Sequence, residues 1–132
     1  MTLLAANNYA NGLLNLGRFE EAKSLMRKTI PVAQRILGES DRITLTMRKI
    51  FAEASYKNPC TTLDDLREAA TTLEDVGRIA QRVFGGGHPL TGRVELRLRE
   101  ARAMLGAREG DDVSSVCDGV AAMTPRDERK QG

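Results

Sequence analysis

The chain repeats itself. A recurring unit constrains folding more than composition does, because each copy must bury its apolar faces against its neighbours. "ILGESDRIT" (36–44) and "VFGGGHPLT" (83–91) share an apolar pair, a glycine and a threonine six residues past that glycine. "EEA" at 20–22 and "REA" at 67–69 precede those glycines by the same distance, and "AQR" stands at 33–35 and again at 80–82. Thr2 is followed fifteen residues later by Gly17, and Thr91 fifteen later by Gly106, each glycine after a leucine. Thr2 to Thr44 is 42 residues and Thr44 to Thr91 is 47, the five additional residues falling in "KNPCTTLDD". The chain reads as two full units and the opening half of a third.

Each unit reads as a helix pair, which predicts five helices at roughly 2–16, 18–37, 41–57, 62–84 and 89–106. Gly38 and Gly85 stand where a helix C-terminus favours a residue tolerant of positive φ. Pro59 closes the third helix, and Thr62 with Asp64 and Asp65 predicts the N-cap and acidic first turn of the fourth. That helix carries Leu66, Ala69, Leu73, Val76, Ala80 and Val83 three or four apart on one face. Pro31 lies inside the second helix and removes one backbone hydrogen bond, so a bend without a break is expected there.

The "GRFEEA" turn (17–22), the "LG…HP.T" linker and the 42-residue period resemble tetratricopeptide repeats of the kinesin-light-chain type. The resemblance covers roughly residues 2–108, and "GGHPLT" is its most specific part. Asp41-Arg42 replaces His-Pro in the first linker, and the insertion removes the turn glycine of unit two. The resemblance implies an all-α, right-handed α-solenoid of antiparallel helix pairs, two full repeats plus a half repeat, over residues 1–109. It implies a module that binds a peptide or protein partner without catalysis, in a groove lined by the first helices, where an Asn at the Asn8 position is typical. Residues 110–123 read as a short remnant or capping helix with a Val113, Val116, Cys117, Val120 and Ala121 stripe, and 124–132 as a disordered charged tail.

Helical geometry assigns faces independently, at about 100° per residue. Positions 3, 7, 10 and 14 after each threonine share one face: Ala5, Tyr9, Gly12 and Leu16, then Met47, Phe51, Ala54 and Asn58, then Val94, Leu98, Ala101 and Leu105. This face is expected to be the core stripe. Positions 2, 5, 6, 9 and 13 make a second arc, which in unit one holds Leu4, Asn7, Asn8, Asn11 and Asn15. Interior Asn costs about 0.5 kcal/mol of helix propensity per site, so four on one face invite an explanation. An amide offers two donors and two acceptor lone pairs, suited to an extended peptide backbone. The candidate peptide-binding residues are therefore Asn7, Asn8, Asn11 and Asn15, continued by Lys49 and Glu53 in unit two and by Arg93 and Arg97 in unit three. A solvated polar face and packing against a preceding repeat are the competing readings of that arc. In unit three, Arg93 and Arg97 suit an acidic ligand or phosphate, or form a solvated surface with Glu100.

Twenty basic against 18 acidic residues leave a formal charge of +2, which disfavours nucleic acid as partner. No apolar run reaches membrane-spanning length, and the N-terminus lacks a signal-peptide pattern. Cys60 and Cys117 are then expected to be reduced thiols in a cytoplasmic protein. His88, the single histidine, is expected to cap the next helix, and "FGGGHP" lacks the Lys-Ser/Thr of a phosphate loop. No nucleophile stands with a base and no ligand cluster suits a metal or cofactor, so no enzyme is expected. The first expectation is a protein-interaction scaffold. The second is a terminal capping piece of a longer array, stacking with further repeats or self-associating. A nucleic-acid-associated repeat using the Arg-rich third unit is a weaker third.

Overall fold

The computed structural model describes residues 2–111. Five helices follow one another: α1 (Leu3–Asn15), α2 (Phe19–Leu37), α3 (Arg42–Tyr56), α4 (Leu63–Phe84) and α5 (Pro89–Asp111). No β-strand occurs among the described residues, and no helix there is long and apolar enough to cross a membrane.

The helix ends follow from local chemistry. The Thr2, Asp41 and Thr62 side chains each accept a backbone N–H from the first turn of α1, α3 and α4, at 3.0, 2.9 and 3.1 Å. At the start of α5 the Nδ1 of His88 accepts the Leu90 N–H at 3.1 Å, and the ring stacks on Phe84. The expected capping role of His88 is what the structure shows. Gly17, Gly38 and Gly85 all have φ between 75° and 94°. At Gly17 the Arg18 N–H reaches the Leu13 carbonyl and the Gly17 N–H the Leu14 carbonyl, a Schellman closure of α1. α2 continues through Pro31 to Leu37 without interruption.

α3 packs against all four other helices, α1 touches α3, and α3 touches α5, whereas α2 and α4 do not meet. First helices in mutual contact and second helices apart place α1, α3 and α5 on the inner side of a curved stack. One core joins α3, α4 and α5 around Leu45, Tyr56, Leu66, Leu73, Leu90 and Val94. The other joins α1, α2 and α3 around Ala10, Leu13, Met26, Met47 and Ile50.

The expected core stripe holds in two units and fails in the first. Val94 and Ala101 are buried and Leu98 and Leu105 half-buried against the α3–α4–α5 core, and Met47, Phe51 and Ala54 lie in the core shared with α2. In unit one, Tyr9 is 54% and Leu16 70% exposed, and Ala5 and Gly12 are exposed too. α1 instead buries Ala6, Ala10, Leu13 and Leu14. The reason is architectural. Positions 3, 7, 10 and 14 face the second helix of the preceding unit, and among the described residues α1 has none. α1 therefore buries only its opposite side, against α2 and α3. In α4 the expected stripe is buried up to Ala80, but Val83 is 45% exposed because Phe84 packs on the core in its place.

α5 also departs from expectation, running past Gly106 to Asp111. Arg108 donates to the Thr61 carbonyl at 2.8 Å, and Arg67 pairs with Glu109 at 3.3 Å. These contacts hold the extra turn against the segment that carries Cys60. Cys60 is disulfide-bonded, which corrects the expectation of reduced thiols and removes the argument from thiols to the cytoplasm. Cys117, the remnant helix expected at 110–123 beyond its first two residues, and the tail at 124–132 lie outside the described residues.

Gly77 lies inside α4, where a Cβ would meet Val94 Cγ1 at 3.5 Å, an ordinary van der Waals contact. Gly77→Ala is expected to raise stability by about 0.5–1 kcal/mol through helix propensity and unfolded-chain entropy. Urea unfolding measures it, and a loss of stability would mean that α4 and α5 pack more closely than described.

Candidate functional site

The inner face is built from the same arc of three first helices. On α1 it presents Asn8, Asn11 and Asn15, all exposed, beside Leu4 at 53% exposure. Asn7 is half-buried, and its Oδ1 is enclosed without a hydrogen-bond donor among the described residues. The whole of α1 carries no charged side chain, so this end of the face offers amide groups without charge.

On α3 the arc changes character. Lys49 is 7% and Glu53 3% exposed, so neither stands open in a groove as an isolated contact residue. Lys49 Nζ meets Glu53 Oε2 at 2.6 Å, and Glu53 Oε1 receives Lys57 Nζ and Arg97 Nε, each at 3.0 Å. Arg97 also reaches Glu100 at 3.4 Å, and the Tyr56 hydroxyl donates to Glu100 at 2.5 Å. Two units are thereby tied through side chains alone. Arg93 is exposed and has no ion-pair partner among the described residues. The surface formed by Lys49, Lys57, Arg93 and Arg97 against Glu53 and Glu100 keeps a cationic excess.

The electrostatics follow from enclosure. Burial pushes the Glu53 carboxyl up, but its hydrogen-bonded pairs with Lys49 and Lys57 outweigh that and hold it below its ordinary 4.5. Burial, and then the hydrogen bond to Glu100, push the Tyr56 phenol well above its ordinary 10.0. The structure thus gathers Lys49, Glu53 and Arg97 into one node and leaves Asn8, Asn11, Asn15 and Arg93 open. Lys57 and Tyr56 belong to that node and were not singled out from the sequence, whereas Glu100 was read there as a compensating charge for the arginines. The Lys49–Glu53–Lys57 spacing of four residues was the available signal. No group of three or more His, Cys, Asp or Glu side chains suited to a metal occurs among the described residues.

Removing Glu53 leaves three cations facing one another with one of them enclosed. Glu53→Gln is expected to cost about 3 kcal/mol, the scale for breaking a buried pair. The folded carboxyl has the lower pKa, so the unfolded chain takes up the proton first on acidification. The contribution is therefore complete well above pH 4.5 and disappears as pH falls through the depressed folded value. Thermal unfolding from pH 7 to pH 3 should show an acid loss in the wild type that is smaller in Glu53→Gln.

Residues 2–42 match the family model of the tetratricopeptide repeat. No relative among curated proteins and no solved structure matches the chain. The matched segment is one complete helix pair, α1, the Gly17 turn and α2. The first-helix face it contributes is the one the next two units extend. Over residues 2–42 the chain is similar to a tetratricopeptide repeat.

Proposed function

We propose that this chain is a protein-interaction scaffold that holds an extended, acidic peptide segment along the inner face of α1, α3 and α5. Tetratricopeptide repeats generally mediate protein–protein interaction. The observation that carries the finer reading is the row of Asn8, Asn11 and Asn15, open on an uncharged helix and leading onto a cationic surface. The amides pair with a strand-like backbone by donating and accepting at once. Arg93 and the outer edge of the Lys57–Arg97 node attract carboxylates on the part of the peptide beyond them. Lys49 and Glu53 act by fixing Arg97 in place. The "GGHPLT" linker aligns this reading with kinesin-light-chain-type repeats, which are binding modules.

The capping alternative has less support. A terminal cap presents a polar outer surface, whereas the outer face of α1 exposes Tyr9 and Leu16.

A displayed peptide library selected on the full chain tests the proposal. Recovered peptides should be rich in Asp and Glu. Asn8→Ala and Asn11→Ala should each weaken their binding about fivefold, the equivalent of ~1 kcal/mol for one net hydrogen bond. The melting temperature should hold, since Ala is the better helix former. Arg82→Ala, on exposed α4 surface, should leave affinity unchanged. Equal affinity for the Asn variants would remove the groove.

A further inference from the structure

The two full units end alike. "AQRILG" (33–38) and "AQRVFG" (80–85) put an arginine and a branched aliphatic side by side in the last turn of each second helix. Arg35 and Arg82 are exposed, Ile36 is 65% exposed and Val83 45%. Ile36 is open although a full unit follows it, and Val83 although a full unit precedes it, so neither exposure comes from a missing neighbour in the stack. Residues 38–41 and 85–88 turn the chain back, so α2 and α4 end at one edge of the stack and α3 begins between them. Arg42, in the first turn of α3, is exposed at that edge too. Arg35, Arg42 and Arg82 make no ion pair among the described residues.

Charge is segregated toward this edge. Residues 22–38 and 76–94 hold seven basic residues and no acidic one, and the acids of α2 and α4 all precede those stretches. Of the seven, Arg78 is held by Asp75 at 3.0 Å. The two acids of the first linker are engaged locally, Glu39 by the Gln34 amide at 3.2 Å and Asp41 as the cap of α3. The helix dipole accounts for a cation in a last turn. It does not account for an aliphatic side chain left in water beside that cation in both units.

A cation next to an exposed aliphatic suits a lipid surface, where the one holds an anionic headgroup and the other enters the acyl boundary. A nucleic acid suits the edge poorly, because Ile36 and Val83 offer no ring on which a base could stack. A single small anion suits it poorly too. The two pairs stand on either side of α3, up to about 20 Å apart at ordinary helix-packing distances, and so match a continuous surface.

We propose that the edge carrying Arg35, Ile36, Arg42, Arg82 and Val83 is a peripheral docking surface for an anionic lipid membrane. The arginines take the headgroup charge, and Ile36 and Val83 enter the interface. The inner face of α1, α3 and α5 is a different surface, and the proposal does not rest on it.

Co-sedimentation of the full chain with vesicles tests this, using phosphatidylcholine alone and phosphatidylcholine mixed with phosphatidylserine. The chain should bind the mixed vesicles and not the neutral ones, with an affinity that falls as salt rises. Arg35→Gln with Arg82→Gln should weaken binding about 25-fold, roughly fivefold for each charge. Ile36→Gln with Val83→Gln, which leaves the charge unchanged, should weaken it about tenfold or more, the scale of one buried methylene at each site. Arg18→Gln removes the same charge at the opposite edge, in the turn between α1 and α2, and should leave binding unchanged. Circular dichroism should show every variant as helical as the wild type, since the substituted side chains are exposed and Gln is a good helix former. Equal binding to neutral vesicles, no binding to mixed ones, or a loss in Arg18→Gln as large as in the arginine pair overturns the proposal. So does binding that survives Ile36→Gln with Val83→Gln, which would reduce the edge to a site for polyanions; a single-stranded RNA oligonucleotide would then compete with the vesicles.

Discussion

Everything in this stack depends on α3 being enclosed by all four other helices. Ten of its fifteen residues are buried, against four of thirteen in α1. A helix covered on nearly every side has no polar face left for solvent, yet α3 carries Lys49 and Glu53 in its middle. Unpaired charges there would carry a desolvation cost of several kcal/mol each. They persist because Glu53 accepts from Lys49, Lys57 and Arg97 together. The ion node is thus a consequence of the packing, and it in turn constrains the packing. Arg97 belongs to α5, so α3 and α5 are held in one register by a charge pair whose partners are 44 residues apart.

This arrangement links stability to the proposed binding face. The side chains that would meet an acidic ligand are the outer members of a network whose inner member is buried. Arg97 is oriented by Glu53 and Glu100, and Tyr56 holds Glu100 from behind. The cationic end of the proposed groove is therefore pre-organised, which would lower the ordering cost of a partner. The amide end on α1 is different. Asn8, Asn11 and Asn15 stand on a helix that packs on one side only, and their rotamers remain free to adapt.

Much of this was legible in the residues. Helix ends could be read because each has a local cause: the Thr62 hydroxyl, the His88 ring, the positive φ of Gly38 and Gly85. The continuity of α2 through Pro31 was legible for the same reason, as only one backbone bond is at stake. Burial was legible where a neighbour exists. The core residue that position 7 predicts is found at Phe51 and Leu98 but not at Tyr9, because the periodicity of a helix states which residues share a face and not whether something covers it. The Lys49–Glu53 pairing was visible as a four-residue spacing, whereas Arg97 joins it only through tertiary register. The disulfide at Cys60 was the least legible feature, since the compartment argument weighs only the absence of a signal.

α3 is thus the hub on which both helix pairs and the half unit pack. Native-state amide hydrogen exchange measures this directly. The backbone amides of Ile50, Phe51, Ala52, Glu53 and Ala54 are expected to be the slowest in the chain and to exchange only by global unfolding. Those of α1 and of α5 beyond Gly106 should exchange through local opening at lower free energy. If α3 exchanges as fast as α1, or if α4 and α5 stay protected while α3 opens, the hub is elsewhere and α3 does not hold the stack together.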